Sequence, residues 1–297
     1  MSELFPDFAF ERRRVNGVEI AVRHGGRGPP MLLLHGFPQS HAIWHRVAVP
    51  LAARYTLVMP DLRGYGDSGK PASAPDHAPY SKRAMALDMA DLMQSFGHAR
   101  FFVCGHDRGG RVAHRLALDH GERVARLMVL DISPTLTMYE RTTMEFARLY
   151  YHWFFLIQPA PLPETLIGAD PAFYLRTKLG AWGSSGTAHF DPRALAEYQR
   201  CFTAEAIHAM CEDYRAAAGI DLEHDRADAA ADRRIVCPLH VLWGERGVVH
   251  RLFRPLDDWR ERTSGPVSGR PLPGGHYIPE ELPDLLVEEI GAFFAEA

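Results

Sequence analysis

The chain has 297 residues, with 33 basic and 37 acidic side chains and a formal charge of −4. A composition of 46% hydrophobic and 24% charged residues excludes a disordered chain and a fibrous repeat. The absence of a basic stripe interleaved with aromatics argues against nucleic acid as a partner.

Residues 11–15 and 18–24 flank Asn16-Gly17, a hairpin turn signal. Short, predominantly apolar runs follow at residues 31–34, 56–59, 101–104, 127–130 and 239–243. Runs of this kind suit strands buried on both faces of a parallel sheet. Ser81 is placed to cap a helix running to Phe96, whose apolar side repeats through Met85, Met89, Leu92, Met93 and Phe96. Further helices are expected over residues 111–118 and 282–294. The alternation predicts an α/β fold: a mostly parallel central sheet, helices on both faces, and a site at the strand C-terminal ends.

The alternation breaks after Asp131. Residues 134–233 contain no buried-strand run and carry helical patches with Tyr150, Tyr151, Trp153, Phe154, Phe155 and Trp182. The expected organisation is an α/β core in residues 1–133 and 234–297, with 134–233 as a helical cap over the sheet's C-terminal edge. A cap there would exclude water from the site beneath. The start of the chain shows no basic segment followed by an apolar stretch, so no secretory signal is expected. The longest apolar run, residues 149–157, contains His152 and is too short to span a bilayer. The four cysteines, Cys104, Cys201, Cys211 and Cys237, form no C-x-x-C pair and read as buried hydrophobes in a reducing compartment. A soluble, cytoplasmic protein is expected.

The sharpest motif is Gly105-His106-Asp107-Arg108-Gly109-Gly110, where a buried strand turns into a helix. A G-x-nucleophile-x-G turn presents one side chain on a strained elbow. Serine is the usual nucleophile; here Asp107 takes its place. A carboxylate needs no base to activate it, and it forms an ester with a substrate carbon rather than an acyl group. The expected chemistry is displacement at an sp³ carbon followed by ester hydrolysis; the bland alternative is a turn with no function. His276, in Gly274-Gly275-His276 before the last helix, follows the order nucleophile, acid, histidine. It would deprotonate the water that attacks the Asp107 ester, although a solvated loop histidine is the alternative among 16 histidines. The acid that orients His276 is either Asp131, at the end of the fourth apolar run, or Glu245. The other frequent place falls on Gly247, which has no side chain, so Asp131 is preferred. Pairing with Asp131 raises the His276 pKa and burial lowers it; the sequence leaves that balance open.

The backbone N–H groups of Phe37, in His35-Gly36-Phe37-Pro38, and of Arg108 are expected to form an oxyanion hole. Arg108 and Arg111 sit one helical turn apart beside the nucleophile. Two permanently charged forks there point to an anionic substrate, most simply a carboxylate held bidentately. The alternative is an internal ion pair that neutralises Asp107.

With these residues in hand, the scaffold resembles the α/β-hydrolase superfamily. The stretch G-H-D-R-G-G-R at residues 105–111 resembles the fluoroacetate (haloacetate) dehalogenases in particular. Epoxide hydrolases and haloalkane dehalogenases share the aspartate elbow, but generally carry another residue at position 108 and lack the second arginine. The resemblance runs over essentially the whole chain. It implies Asp107, Asp131 and His276 as nucleophile, acid and base, and Arg108 with Arg111 as the carboxylate-binding pair. It also implies His152, Trp153 and Tyr214 as donors to the departing halide. A small anionic haloacid as substrate, no metal or organic cofactor, no nucleic-acid or membrane partner, and a homodimer are further implications. Two other readings remain. One is an epoxide hydrolase using Tyr214 and a second tyrosine of the Tyr150-Tyr151 pair. The other is a non-enzymatic small-molecule receptor, against which the intact Asp107, Asp131 and His276 argue.

Overall fold

The computed structural model describes residues 4–183 and 186–295. The outer ends of the expected core, and residues 184–185 of the expected cap, lie outside the described residues.

The predicted hairpin forms from β1 (Ala9–Val15) and β2 (Val18–Gly26), paired antiparallel. Asn16 and Gly17 both take positive φ, 44° and 76°, as a two-residue turn matching the strand twist requires. The five apolar runs become β3 (Pro30–Leu34), β4 (Thr56–Pro60), β5 (Phe101–His106), β6 (Val124–Leu130) and β7 (Leu239–Gly244). The sheet order is β1-β2-β4-β3-β5-β6-β7-β8, where β8 is Val267–Leu272. Pairing is parallel from β4 through β8, and antiparallel only at β1·β2 and β2·β4. The central strands need apolar side chains on both faces because helices cover both sides. The edge strand β8 alternates half-buried with exposed residues up to the buried Leu272, and it contains Gly269 and Pro271. It therefore shows no continuous apolar run, and pattern reading of the sequence does not find it.

Flanking helices are α1 (His45–Ala52), α2 (Lys82–Ser95) and α3 (Arg108–Asp119). The Ser81 side chain caps α2 as predicted, accepting the Ala84 N–H at 3.1 Å. Between β6 and β7 come α4 (Thr135–Glu140), α5 (Met144–Leu149), α6 (Tyr151–Phe155) and α7 (Leu162–Ala169). They are followed by α8 (Pro171–Leu179), α9 (Pro192–Cys201), α10 (Ala204–Ala218) and α11 (Ile220–Ala230). After β7 lie α12 (Val248–Leu252), α13 (Pro255–Arg260), α14 (Ile278–Glu281) and α15 (Pro283–Ala295). No described helix is long and apolar enough to cross a membrane.

The turn from β5 into α3 is the tightest packing point that bears on the site. A Cβ added at Gly105 would lie 2.6 Å from the Gly109 carbonyl oxygen, and one at Gly109 would lie 2.3 Å from that of His35. Neither position has room for any other residue. Gly109→Ala is expected to lower stability by about 2 kcal/mol or more in urea unfolding, because backbone rather than a flexible side chain must move. A loss within about 0.5 kcal/mol, the range of a neutral surface change, would contradict this packing.

Candidate active site

Asp107 stands between β5 and α3 with φ 46° and ψ −115°, outside the regions an L residue prefers. The strained backbone lifts its side chain off the sheet edge. Gly36 makes room for it, since a Cβ there would fall 2.6 Å from the Asp107 Cβ. The Phe37 N–H donates to Asp107 Oδ2 at 3.0 Å. The Phe37 N–H, expected from the sequence as an oxyanion donor, thus points at the Asp107 carboxyl group. Burial pushes the Asp107 pKa up, but His276, Arg111, His106 and Arg108 outweigh it, and the carboxyl stands below its usual value.

The structure brings His276 and Asp131 together across 145 residues of sequence. His276 Nδ1 donates to Asp131 Oδ2 at 2.6 Å, while the Gly244 N–H donates to Oδ1 at 3.0 Å. This fixes the imidazole with Nε2 on the far side from Asp131. Glu245, the competing acid, is exposed. A Cβ at Gly247 would lie 3.3 Å from Asp131 Oδ1. Position 247 therefore faces the Asp131 carboxylate, and a side chain there would press on it. His106 donates through Nε2 to the His276 carbonyl at 2.8 Å, holding the loop. Burial alone would push the His276 pKa down. The hydrogen bond and charge of Asp131 outweigh it, so the pKa stands above the ordinary 6.5. The balance left open by the sequence falls on the side of the carboxylate.

Arg108 and Arg111 both lie buried on the first turn of α3, but their surroundings differ. Arg108 donates through Nε and Nη2 to the Asp213 carboxylate at 2.8 and 2.7 Å, and through Nη2 to the Asp213 carbonyl. Its ion pair is with Asp213, not Asp107, so two of its nitrogens are not free to grip a ligand. Its Nη1 is buried and lacks a hydrogen-bond partner. Arg111 donates to the Ser133 carbonyl at 3.2 Å and to Thr135 Oγ1 at 2.9 Å, both neutral, and its Nε is buried and unpartnered. Arg108 Nη1 and Arg111 Nε are thus the unpartnered guanidinium nitrogens of the pair, while Arg111 Nη2 meets only the Met138 sulfur at 3.3 Å.

The aromatic residues from the helices after β6 close the other side. The Phe37 ring stacks on His152 at 5.8 Å and meets Tyr214 edge-on at 5.3 Å. The Arg108 guanidinium lies 4.2 Å over the Tyr214 ring and that of Arg111 lies 4.6 Å over the Trp153 ring. The Tyr214 hydroxyl and His152 Nδ1 are buried and unpartnered. Burial, reinforced by Lys178, holds the His152 pKa well below its ordinary value, so the ring is neutral.

Two residues here escaped the sequence reading. Asp213 sits beside Tyr214 on α10, but nothing local marks a partner for an arginine 105 positions away. Trp182 was visible only as one of several aromatics; its ring lies 4.6 Å from His152 and 5.1 Å from His276.

The profile of the α/β hydrolase fold matches residues 29–206. The chain belongs to the α/β-hydrolase family. It is 47% identical to a fluoroacetate dehalogenase from Burkholderia sp. over 97% of this chain and 95% of that protein. It is also 32% identical to a soluble epoxide hydrolase from Corynebacterium sp. (strain C12), over 95% of each chain. A solved structure described as an α/β hydrolase from Nostoc sp. PCC 7120 superposes with a TM-score of 0.96 at 53% identity, covering 99% of this chain and 100% of that one.

The His276–Asp131 pair gives a direct titration. The His276 imidazole will titrate above pH 6.5 in an NMR titration, and Asp131→Asn will bring the midpoint down. A wild-type midpoint below 6.5 would contradict the dominance of Asp131 over burial.

Proposed function

We propose that this α/β hydrolase is a haloacetate dehalogenase able to cleave carbon–fluorine bonds, releasing glycolate and halide. The observation that carries the reading is the pair of buried, unpartnered guanidinium nitrogens, Arg108 Nη1 and Arg111 Nε, on the same helical turn that follows Asp107. A small carboxylate supplies two acceptors for two such donors. Similarity to the Burkholderia fluoroacetate dehalogenase supports the same substrate class.

In this reading the haloacetate lies with its carboxylate on Arg108 and Arg111. An Asp107 carboxylate oxygen attacks the halogen-bearing carbon; the new C–O bond forms as the carbon–halogen bond breaks and halide departs with the electron pair. Fluoride is strongly hydrated and leaves poorly, so its developing charge needs donors inside a dry pocket. His152, Trp153 and Tyr214 offer one N–H or O–H each. Every 1.4 kcal/mol, roughly, that they add selectively in the transition state gives about tenfold in rate. His276, oriented by Asp131, then takes a proton from water, and the hydroxide adds to the ester carbonyl of Asp107. The Phe37 and Arg108 N–H groups stabilise the oxyanion; on its collapse the carbon–oxygen bond to glycolate breaks, the His276 imidazolium returns its proton to the departing oxygen, and the new carboxyl group loses its proton to solvent, restoring the Asp107 carboxylate. No metal or organic cofactor enters the scheme.

We place residues 134–233 as a cap domain over a core of 1–133 and 234–297, its purpose being to exclude water from the displacement step. A cytoplasmic homodimer completes the proposal. It rests on the family resemblance and on four buried, unpaired cysteines, which suit a reducing compartment. Similarity to the Corynebacterium epoxide hydrolase favours a second reading, with Tyr214 as an acid toward an epoxide oxygen. A neutral epoxide, however, gives Arg111 no anion to bind.

The test is a fluoride electrode in a fluoroacetate solution. Wild type should release fluoride continuously and Asp107→Ala should release none. His276→Asn should release about one fluoride per chain and then stall, with a covalent adduct visible in the intact mass. Continuous turnover by His276→Asn would remove the histidine from its role. Hydrolysis of a neutral epoxide with no fluoride release would overturn the dehalogenase reading.

A further inference from the structure

A second concentration of positive charge lies outside the site just described. A cavity of about 400 Å³ opens where α5, α6 and α8 face the turn that follows β7. Its walls include Arg148, Tyr151, Lys178, Trp182, Arg246 and Arg251. Arg251 pairs with Glu145, and Arg246 pairs with Glu281 at 3.3 Å. Arg148 is exposed and has no ion-pair partner among the described residues.

Lys178 is the decisive residue. It is 98% buried, with a relative exposure of 2%. Among the described residues it makes no ion pair and its ammonium donates no hydrogen bond. Its Nζ lies 3.7 Å from the centroid of the Tyr151 ring and 5.6 Å from that of Trp182. Cation–π contact offsets part of the lost hydration, and among the described residues no protein oxygen accepts from its ammonium, which faces the cavity. Desolvation, with no carboxylate to oppose it, lowers the Lys178 pKa to about 8. A buried cation kept in this condition gains from any anion that reaches it.

Trp182 joins this cavity to the reaction site. It lines the cavity, while its ring packs 4.6 Å from His152 and 5.1 Å from His276. We propose that the cavity around Lys178 is a binding basin for small monovalent anions, one step outside the reaction site and separated from it by Trp182. The role given to it rests on the dehalogenase reading, in which one anion must arrive and two must leave. The ligand chemistry is shared by an incoming haloacetate and an outgoing halide, and the experiment separates the two.

Wild-type crystals soaked in bromide should show anomalous density within hydrogen-bonding reach of Lys178 Nζ, and Lys178→Met crystals should not. In solution, Lys178→Met keeps the stem but removes the charge, and Arg148→Ala is a milder variant on the exposed wall. If the basin takes incoming substrate, Lys178→Met lowers kcat/KM for fluoroacetate by about tenfold, flattens its dependence on ionic strength and leaves kcat unchanged. If it takes outgoing halide, kcat falls and inhibition by added bromide weakens. Arg148→Ala should shift the same parameter in the same direction by a smaller factor. Absence of bromide at Lys178 in wild type overturns the basin. Density with no change in kcat, kcat/KM or salt dependence overturns its part in turnover. The diffraction arm needs no catalysis, so a wild type that releases no fluoride sinks the dehalogenase reading and leaves the basin standing.

Discussion

The arrangement depends on one strained residue. Asp107 has a positive φ that no side chain adopts freely, and it is held there by close backbone packing on both sides. Gly36, Gly105 and Gly109 are the positions where that packing leaves no space for a Cβ. The strain sets the carboxylate at the mouth of the sheet, against the Phe37 N–H, with the first turn of α3 beginning at the next residue. Every other feature of the site is placed relative to that point. Arg108 and Arg111 come from the helix it starts, Asp131 from the end of β6, and His276 from the loop after β8.

The electrostatics follow from the same geometry. Arg108 and Lys82 both pair with Asp213, and Lys82 also reaches Asp221. Two cations and two carboxylates thus form a buried, locally balanced group that ties α3 and α2 to α10 and α11. Tyr65 adds its hydroxyl to Asp213 at 2.7 Å. Arg111 stands apart, anchored by neutral groups only. The two neighbouring arginines therefore differ in kind: Arg108 offers a directed donor whose charge is already answered, and Arg111 offers charge facing Asp107 and whatever binds beside it. Cutting one partner out of such a buried group costs more than the group contributes as a whole, because the remaining charge is left without solvent or counter-ion.

Much of this was legible before the structure. The five central strands announce themselves because burial on both faces forces predominantly apolar runs, broken only at the half-buried Thr56 and His240. The elbow is legible because a glycine-flanked aspartate between strand and helix has few other uses. Asp131 and His276 were readable from order along the chain. What was hidden is what depends on three-dimensional approach. The edge strand β8 alternates half-buried with exposed residues and carries a glycine and a proline, so it has no contiguous signature. Asp213 reaches Arg108 only after α10 has packed down on the elbow. Lys178 looks like any helix-surface lysine in sequence, yet Tyr151, Tyr174 and Trp182 surround it. The sign of the His276 shift could not be read either, since burial and the Asp131 carboxylate oppose each other and only the 2.6 Å contact decides between them.

The central claim is that the first new bond is made by an Asp107 oxygen and not by water. A single turnover in ¹⁸O water, with enzyme in excess over fluoroacetate, tests it directly. The account predicts that the heavy oxygen enters the Asp107 side chain, found by peptide mass, while the glycolate formed stays light. Heavy glycolate with a light Asp107 would contradict it, because water would then have attacked the substrate carbon itself.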